Sequence, residues 1–380
     1  MAGLLWVQVV AEVKFSIVIP VYNVSPYLKA CLDSIHAAAD RIKSNVAVEM
    51  VCVDDGSTDG SATILDDWAA SGAVDCQSLT IKIIHQHNAG VGAARNAALD
   101  VATGDWIGFV DADDTVSERW LEVAVELIEA APAAEIVKLT PLVSVKDERG
   151  PAGVLRHEKF WLDRSDAVTC AQAAAVRNIC VREGMLARKM GLHEYSRYGW
   201  STPNFVRREF IGLTRFPVGI RLKEDVCFFV QLANRLTCWV EAEFPGYFYT
   251  RRVGSAVMRH RSDEDSLKFV KEMLRVERVE GVEGGGKRGM RRCSNFIRAV
   301  STAIGYEFVQ WAEERDPNLP YDAKNCPIRA AWRLAWREGM IDLGDLPFFW
   351  RPAIRWWEWT GQLWLAKVTR RTREWMARFI

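Results

Sequence analysis

The segment Phe109–Asp114 reads F-V-D-A-D-D, an apolar strand that ends in three carboxylates. Asp111, Asp113 and Asp114 at one strand end create a strong negative potential, which a hard cation or a salt-bridge partner must stabilise. A divalent metal held by one or two carboxylates keeps positions open for water and for substrate phosphates. The segment therefore predicts a metal–diphosphate site at the end of a buried strand.

Apolar strands alternate with helices from the start of the chain to this segment, and a polar turn follows each strand. The predicted strands are Phe15–Val21, Val46–Val53, Leu79–His85 and Trp106–Val110. The predicted helices are Tyr27–Ala39, Ala62–Ala70, Ala93–Ala102 and 116–130. This alternation predicts an α/β fold with a Rossmann-like, mainly parallel sheet flanked by helices. Ligands of such sheets bind beyond the carboxyl ends of the strands, so we expect the polar turns to face one crevice.

Net charge, cysteine spacing and the apolar opening of the chain indicate what kind of protein this is. The formal net charge of the 380 residues is zero, which gives no reason to expect a nucleic-acid partner. The 9 cysteines are scattered without a C-x-x-C pair, which favours reduced thiols in a cytoplasmic protein. The apolar opening 1–10 is too short to cross a bilayer and lacks the features of a signal peptide, so we interpret 1–14 as a leader or edge segment.

Four segments resemble a known family when they are taken together. They are S-I-V-I-P-V-Y-N (16–23), V-D-D-G-S-T-D-G (53–60), N-A-G-V-G-A-A-R-N (88–96) and G-D-W-I-G-F-V-D-A-D-D (104–114). In this order, each at a strand end, they resemble the nucleotide-sugar-binding half of family 2 glycosyltransferases. The resemblance is close over residues 1–120 and looser to residue 260. It implies the GT-A fold and an inverting transfer of a sugar from a nucleoside-diphosphate donor, most simply a UDP-sugar.

The resemblance assigns roles to the aspartates that follow the fourth predicted strand. Asp111-Ala112-Asp113 matches the D-x-D motif of the family, which implies that Asp113 binds the metal and that Asp111 lies at the ribose or the metal. The metal would be Mn²⁺ or Mg²⁺, since both suit carboxylate and phosphate oxygens. The competing interpretation is a solvated acidic turn or a helix cap, with Asp114 as the capping residue.

The first two polar turns are predicted to hold the nucleoside. A carboxylate at Asp54 or Asp55 can accept a hydrogen bond from a nucleobase N–H or a ribose hydroxyl. The resemblance implies that Asp55 recognises the nucleobase. Pro20 and Tyr22 stand where the family wraps the nucleobase. The alternatives are helix capping by Asp55, Ser57 or Thr58 and plain packing of Tyr22.

The stretch 88–95 is predicted to approach the donor through its backbone. Asn88 begins the loop. Gly90 and Gly92 allow the backbone to approach a ligand closely, and the helix N-terminus that follows favours anions. Arg95 has two possible partners, a phosphate and the aspartate cluster. The stretch half-resembles G-x-G-x-x-G, but Arg95 replaces the third glycine and the stretch follows the third strand, which disfavours a dinucleotide site.

Glu224-Asp225 stands ahead of an apolar helix and resembles the E-D motif of the family. The resemblance makes Asp225 the general base that deprotonates the acceptor hydroxyl, with Glu224 supporting it or contacting the acceptor. The alternative is an acidic first turn that complements the helix dipole.

Further site residues follow from the looser part of the resemblance. The segment 247–255 resembles Y-x-Y…R-x-G-S, in which Arg252 or Ser255 would contact the diphosphate from a closing loop. His260 would complete the metal shell, although a lone histidine is commonly a surface or packed residue. The remaining histidines are interpreted in that structural sense: His36, His85, His87, His157 and His193.

The end of the chain is rich in tryptophan and arginine. Residues 329–380 carry 8 of the 16 tryptophans, and their 10 basic and 5 acidic side chains leave a local excess of 5 positive charges. Such a segment is typical of an interfacial helix on anionic lipid, or of a helical lobe that packs on its own domain or on another subunit. We therefore expect a cytoplasmic protein, with contact to the inner face of the cell membrane as one alternative.

Together these features predict a GT-A catalytic domain over 15–260 and a helical C-terminal region over 261–380. The catalytic domain would comprise a nucleotide-sugar half (15–115) and an acceptor half (116–260). The predicted function is transfer of a sugar to a glycan or lipid-linked acceptor in bacterial surface-polysaccharide synthesis. A sugar nucleotidyltransferase and a non-catalytic carbohydrate- or nucleotide-binding scaffold are the alternatives.

Overall fold

The computed structural model describes residues 13–42, 46–71, 79–140, 142–147, 161–162, 176–197, 202, 204–244, 246–251 and 262–280. These residues form two compact units, each described below by itself. The first contains the described residues up to Glu183, together with those of 202–213 and 237–251. The second contains those of 184–197, 214–236 and 262–280. Within the described ranges, no helix is long and apolar enough to span a bilayer.

An eight-stranded sheet forms the centre of the first unit. Its strands are β1 (Val13–Val21), β2 (Val46–Asp54), β3 (Leu79–His85), β4 (Trp106–Phe109), β6 (Ile136–Thr140), β9 (Arg177–Glu183), β10 (Asn204–Arg207) and β11 (Cys238–Glu243). Their order across the sheet is β3-β2-β1-β4-β10-β6-β11-β9. The four strands predicted from the sequence are mutually parallel. The far half is mixed, because β10 runs antiparallel to both of its neighbours and β9 runs antiparallel to β11.

A smaller sheet in the same unit has the order β5-β12-β7-β8. Its strands are β5 (Thr115–Val116), β7 (Leu142–Asp147), β8 (Trp161–Leu162) and β12 (Tyr247–Arg251). The helix predicted over 116–130 therefore starts later, at Trp120. The prediction was wrong at this end because Thr115 and Val116 pair with β12, a partner far away in the sequence.

Helices cover the sheet of the first unit. They are α1 (Ser25–Asp40), α2 (Ser61–Ala70), α3 (Val91–Val101), α4 (Trp120–Ala130) and the short α6 (Arg208–Ile211). The first of them shows why such segments are helical. Leu28, Cys31, Leu32 and Ile35 recur at helical spacing, and all four are fully buried. Burying each large apolar side chain of this kind contributes about 1.5–3 kcal/mol.

An aromatic cluster packs against β1 and β4. The ring centroid of Phe205 lies 5.3 Å from that of Phe15 and 4.5 Å from that of Trp120, and all three side chains are fully buried. Gly108 of β4 leaves room for this cluster, because a Cβ atom there would lie 2.9 Å from the Phe205 ring. Close packing in this region fixes the strand whose end carries the aspartates.

The second unit is helical in the ranges that the structure describes. Its helices are α5 (Gly184–Arg197), α7 (Glu224–Arg235) and α8 (Asp263–Glu280). Stacked rings join α7 to α5 and to the loop before α7. The ring centroid of Tyr195 lies 4.7 Å from that of Phe229, and the centroid of Phe216 lies 4.0 Å from that of Phe228. The buried face of α7 thus anchors the helix that begins with Glu224.

Candidate functional site

The carboxyl ends of β1, β2 and β4 lie at one edge of the large sheet. Val21 is in register with Asp54, and the backbone N–H of Asp55 donates to the carbonyl of Val21 at 2.8 Å. On the other side of β1, the N–H of Val110 donates to the carbonyl of Val18 at 3.1 Å. The strand order reverses between β1 and β4, so this edge is the topological switch point at which α/β sheets bind ligands.

Asp111 and Asp114 have different partners. Asp114 is fully buried and accepts hydrogen bonds from the Tyr247 hydroxyl (2.7 Å) and the Thr250 N–H (2.7 Å). The same hydroxyl accepts from the N–H of Asp111 at 3.0 Å. The Asp111 carboxylate is partly exposed and pairs with the buried guanidinium of Arg95, Nη2 to Oδ1, at 2.9 Å.

The surroundings of Asp114 make it a structural residue. Burial raises the pKa of its carboxyl group, and the charges of Asp113 and Asp111 raise it further. The capping interpretation of Asp114 was wrong, because its carboxylate ties the aspartate turn to β12 rather than to a following helix turn. Arg95 lies on the aspartate cluster, which was one of the two partners expected for it.

The remaining aspartates suit a hard divalent cation. Ala112 is buried, whereas its neighbours Asp111 and Asp113 are only half-buried. Their oxygen atoms are the ligands that Mg²⁺ and Mn²⁺ prefer. Among the described residues, no three His, Cys, Asp or Glu side chains converge on one metal position. Two carboxylates completed by substrate phosphates are a common arrangement for Mg²⁺, and the donor set present fits it.

The Asp55 carboxylate holds the loop between β3 and α3. It is buried and accepts three hydrogen bonds, from Gln86 Nε2 (2.7 Å), the Ala89 N–H (2.8 Å) and the Gly90 N–H (2.8 Å). Asn88 in this loop is exposed. In the structure, Asp55 is bonded to residues of this loop. The base-recognising role assigned to it stays a prediction.

The loop also packs closely on the turn after β2. Gly56 has a φ of +73°, and a Cβ atom there would lie 2.9 Å from the backbone nitrogen of Asn88. Only glycine combines this conformation with this approach at low free energy. The two polar turns that follow β2 and β3 therefore form one continuous surface at the edge of the sheet.

Asp54 belongs to a second hydrogen-bonded group. Its buried carboxylate accepts from the Ser57 N–H (3.0 Å, to Oδ1) and contacts Nδ1 of His85 (3.1 Å, Oδ2). Burial raises the pKa of Asp54, but the bonds to Ser57 and His85 outweigh this effect and lower it overall. His85 stands beside Asp54 because the two residues are in register across β2 and β3.

Pro20 and Tyr22 lie at the end of β1. Pro20 is half-buried within the strand, opposite Val53, whereas the Tyr22 side chain is 46% exposed. Asn23 follows with a φ of +51°, the left-handed conformation that asparagine adopts more readily than most residues other than glycine. An exposed aromatic ring at the end of β1 agrees with the nucleobase role better than with plain packing, and that role stays a prediction.

Glu224 and Asp225 form the first turn of α7 in the second unit. Lys223 precedes them in the left-handed conformation, with a φ of +65°. Glu224 is buried, and Asp225 is half-buried with Oδ1 accepting from the Val226 N–H at 2.8 Å. Their positions agree with an acidic first turn, and the general-base role of Asp225 stays a prediction. Arg252, His260 and the tryptophan- and arginine-rich end of the chain lie outside the described residues.

Comparison with known proteins identifies the first of these units in part. Residues 16–165 match the model of glycosyl transferase family 2. This segment is a family 2 glycosyltransferase domain. The matched range includes every site residue described above except Tyr247, Thr250, Glu224 and Asp225 and their immediate neighbours.

Individual relatives support the same family. An uncharacterized glycosyltransferase, EpsJ of Bacillus subtilis, is 37% identical over 108 residues, which cover 28% of this chain and 28% of EpsJ. Glycosyltransferase GlyG of Streptococcus pneumoniae is 27% identical over 270 residues, which cover 69% of this chain and 77% of GlyG. The match to EpsJ thus spans about a quarter of that relative's length.

The fold has a clear counterpart among solved structures. TarS of S. aureus, residues 1–349 in complex with UDP-GlcNAc, superposes with a TM-score of 0.64 at 17% identity. The superposition covers 95% of this chain and 91% of that one. The GT-A fold class predicted from the sequence is therefore confirmed.

Two residues of the first unit have contacts that their local sequence does not indicate. Tyr247 binds the aspartate turn, although only its place in a Y-x-Y pattern distinguished it. His85 was interpreted as a surface or packed residue, yet it contacts Asp54. Its position at the last residue of a strand, before a polar turn, is the signal that could have indicated this contact.

Proposed function

We propose that the protein is an inverting, metal-dependent glycosyltransferase that uses a nucleoside-diphosphate sugar, most simply a UDP-sugar. The observation that carries this proposal is the aspartate turn at the switch point of the sheet. There Arg95 and Tyr247 hold Asp111 and Asp114, while Asp111 and Asp113 keep partly exposed oxygen atoms. A divalent cation bound at these oxygens would neutralise the diphosphate and stabilise it as it leaves.

Other residues would bind the nucleoside and the phosphates and would deprotonate the acceptor. Tyr22 and Asp54 flank the end of β1, where a nucleobase would lie, and the N-terminus of α3 offers backbone N–H groups to an anion. Asp225 would remove the proton from the acceptor hydroxyl as that oxygen attacks the anomeric carbon. The configuration at the anomeric carbon would be inverted, because in a single displacement the acceptor oxygen attacks the face opposite to the leaving diphosphate.

The acceptor we propose is a hydroxyl of a bacterial surface glycan or of a lipid-linked precursor. Relatives named as a poly(ribitol-phosphate) β-glucosyltransferase and as a minor teichoic acid biosynthesis protein support this choice. They are 35% and 27% identical over 117 and 257 residues respectively. A peripheral membrane contact through 329–380 would bring the enzyme to such an acceptor, and it is part of this proposal.

Product analysis tests the proposed reaction. The purified protein is incubated with Mn²⁺, a panel of UDP-sugars that includes UDP-glucose and UDP-GlcNAc, and poly(ribitol phosphate) or lipid-linked glycans. We expect release of UDP and a glycosylated acceptor. Formation of pyrophosphate from UTP and a sugar phosphate would instead indicate a nucleotidyltransferase, and UDP binding without turnover of any donor would indicate a scaffold.

Asp225→Asn tests the general base within that reaction. We expect kcat to fall by about 10²–10⁴-fold while the Kd for UDP stays within about two-fold, because the change removes a proton acceptor and not a donor contact. Glu264→Gln is the matched control, since Glu264 is an exposed acid in the first turn of α8 that pairs with the surface residue Lys268. Unchanged turnover in Asp225→Asn would contradict the assignment.

A further inference from the structure

The ring of His85 lies between two carboxylates. Its Nδ1 atom is 3.1 Å from Oδ2 of Asp54, and its Nε2 atom is 3.2 Å from Oδ1 of Asp66 on α2. A carboxylate only accepts hydrogen bonds, and a neutral imidazole has a single N–H to donate. Both contacts can be hydrogen bonds at once only when His85 is the doubly protonated cation.

The charged groups around the ring agree with this state. Asp54 reaches it from β2 and Asp66 from α2, and the bond to Asp54, followed by that to Asp66, raises the pKa of His85 above its usual range. The acids of α1, the other helix near β3, have partners of their own. Asp33 binds Lys29 and Trp68, and Asp40 lies 3.6 Å from His36.

Two further charged groups, those of Lys82 and Asp55, bind other partners. Lys82, on the same strand as His85, pairs with Glu49 at 2.9 Å. The Asp55 carboxylate is taken by the 86–90 loop. Among the residues that the structure describes, Asp54 and Asp66 are therefore the charges that favour the protonated form of His85.

A chain of hydrogen bonds leads from His85 to the nucleobase side of the site. Asp54 accepts from the Ser57 N–H, and the Ser57 hydroxyl accepts from the Asn23 N–H at 3.1 Å. The Asn23 side chain in turn accepts from the Thr58 N–H at 2.8 Å. Asn23 directly follows the exposed Tyr22 ring, so the contacts of Asp54 hold the turn that presents that ring.

We propose that His85 is a positioning residue whose protonated form fixes Asp54 and the Tyr22 turn for the nucleoside of the donor. The proposal rests on the proposed function, because it needs a nucleotide at the end of β1. When His85 loses its proton, it can bond only one of the two aspartates. The turn then loses part of its support, and we expect the nucleotide to bind more weakly.

Calorimetric titration of UDP in the presence of Mn²⁺, repeated from about pH 6 to about pH 8.5, measures this effect around and above the ordinary pKa of histidine. For the unaltered protein we expect Kd to rise by about five-fold or more across the titration of His85, the lower end of common coupling strengths. The UDP phosphate also titrates in this range, so variants must separate the two effects.

Asp66→Asn separates them, because it removes one charge that stabilises the imidazolium while the phosphate titrates as before. We expect the rise in Kd to move to lower pH. Asp67→Asn is the matched control, since Asp67 is the adjacent exposed acid on α2. His85→Gln should bind UDP as weakly as the unaltered protein does at high pH, and it should gain nothing at low pH.

The outcomes distinguish this inference from the proposed function. Equal profiles for the unaltered protein and Asp66→Asn would overturn it, as would a His85→Gln defect of the same size at every pH, which a merely structural role predicts. In both cases UDP still binds and the proposed function survives. Failure of the unaltered, folded protein to bind UDP at any pH would overturn both.

Discussion

Arg95 and Tyr247 hold the aspartate turn from two sides, and this arrangement explains how three acids share so short a segment. Arg95 supplies a buried positive charge to Asp111, whereas Tyr247 bonds both the backbone of Asp111 and the carboxylate of Asp114. The sequence indicated the acids and offered Arg95 as a partner. It could not indicate Tyr247 as the partner of Asp114, because that contact joins residues far apart in the chain.

Replacing Arg95 tests the charge balance at this turn. Arg95→Met keeps the length of the side chain but removes the cation, and we expect a loss of about 2–4 kcal/mol in unfolding free energy. Mn²⁺ should raise the Tm of this variant more than that of the unaltered protein, because the metal supplies the missing charge. Urea unfolding and thermal melts with and without Mn²⁺ measure both effects.

The control for Arg95→Met is Lys29→Met. Lys29 pairs with Asp33 on the surface of α1, at 2.6 Å but with 72% of its side chain exposed. Exposed pairs contribute little, so we expect a change below about 0.5 kcal/mol and no effect of Mn²⁺. Equal losses in the two variants, or an equal response to the metal, would contradict the role given to Arg95.

At the scale of elements, Glu49 joins β1, β2 and the turn before β4. Its carboxylate is buried and accepts from the Ser16 hydroxyl and from Thr103, and it pairs with Lys82 of β3. The Ser16 hydroxyl also accepts from the Gly104 N–H at 2.7 Å, and a Cβ atom at Gly104 would lie 2.5 Å from the Ser16 nitrogen. This network aligns the strands whose far ends form the site.

Glu49 predicts a pH dependence of stability. Burial opposes its ionisation, but the bonds from Ser16, Thr103 and Lys82 outweigh this and lower the pKa to about 2 from 4.5. Because the folded value is the lower one, the stabilisation is present above about pH 4.5 and is lost as the pH falls towards about 2. A shift of this size corresponds to about 3 kcal/mol.

Urea unfolding of Glu49→Gln between about pH 3 and pH 7 checks this expectation. The variant should be less stable at neutral pH and should lose less stability on acidification than the unaltered protein. Glu118→Gln is the control, because the Glu118 side chain is 72% exposed and should leave the profile unchanged. A Glu49→Gln profile parallel to that of the unaltered protein would show that this carboxylate does not carry the effect.

Across the whole molecule, the sequence predicted the first half of the sheet well and the rest of the fold less completely. The four parallel strands carry continuous apolar runs closed by polar turns, so their predicted ends lie within two residues of those observed. The insertion of β10 between β4 and β6 and the pairing of β5 with β12 depend on contacts between distant segments. The pattern of residues within one segment does not indicate such contacts.

The candidate site divides in the same way. The sequence could predict that the polar turns after β1, β2 and β4 lie together, because strand ends at one edge of a parallel sheet must do so. The contacts of His85 and Tyr247 were not found, because they depend on register and on β12. Asp225 was proposed from the resemblance, and its role depends on the reaction rather than on the described contacts.

Calorimetric titration of UDP into the purified protein, with and without Mn²⁺, decides whether this protein has a metal-dependent site for a nucleoside diphosphate. We expect UDP to bind with Mn²⁺ at least about ten-fold more tightly than without it, and more tightly than GDP does under the same conditions. Asp113→Ala should abolish the gain from the metal. Absence of UDP and GDP binding by the folded protein, or UDP binding that is the same with and without Mn²⁺, would contradict the account.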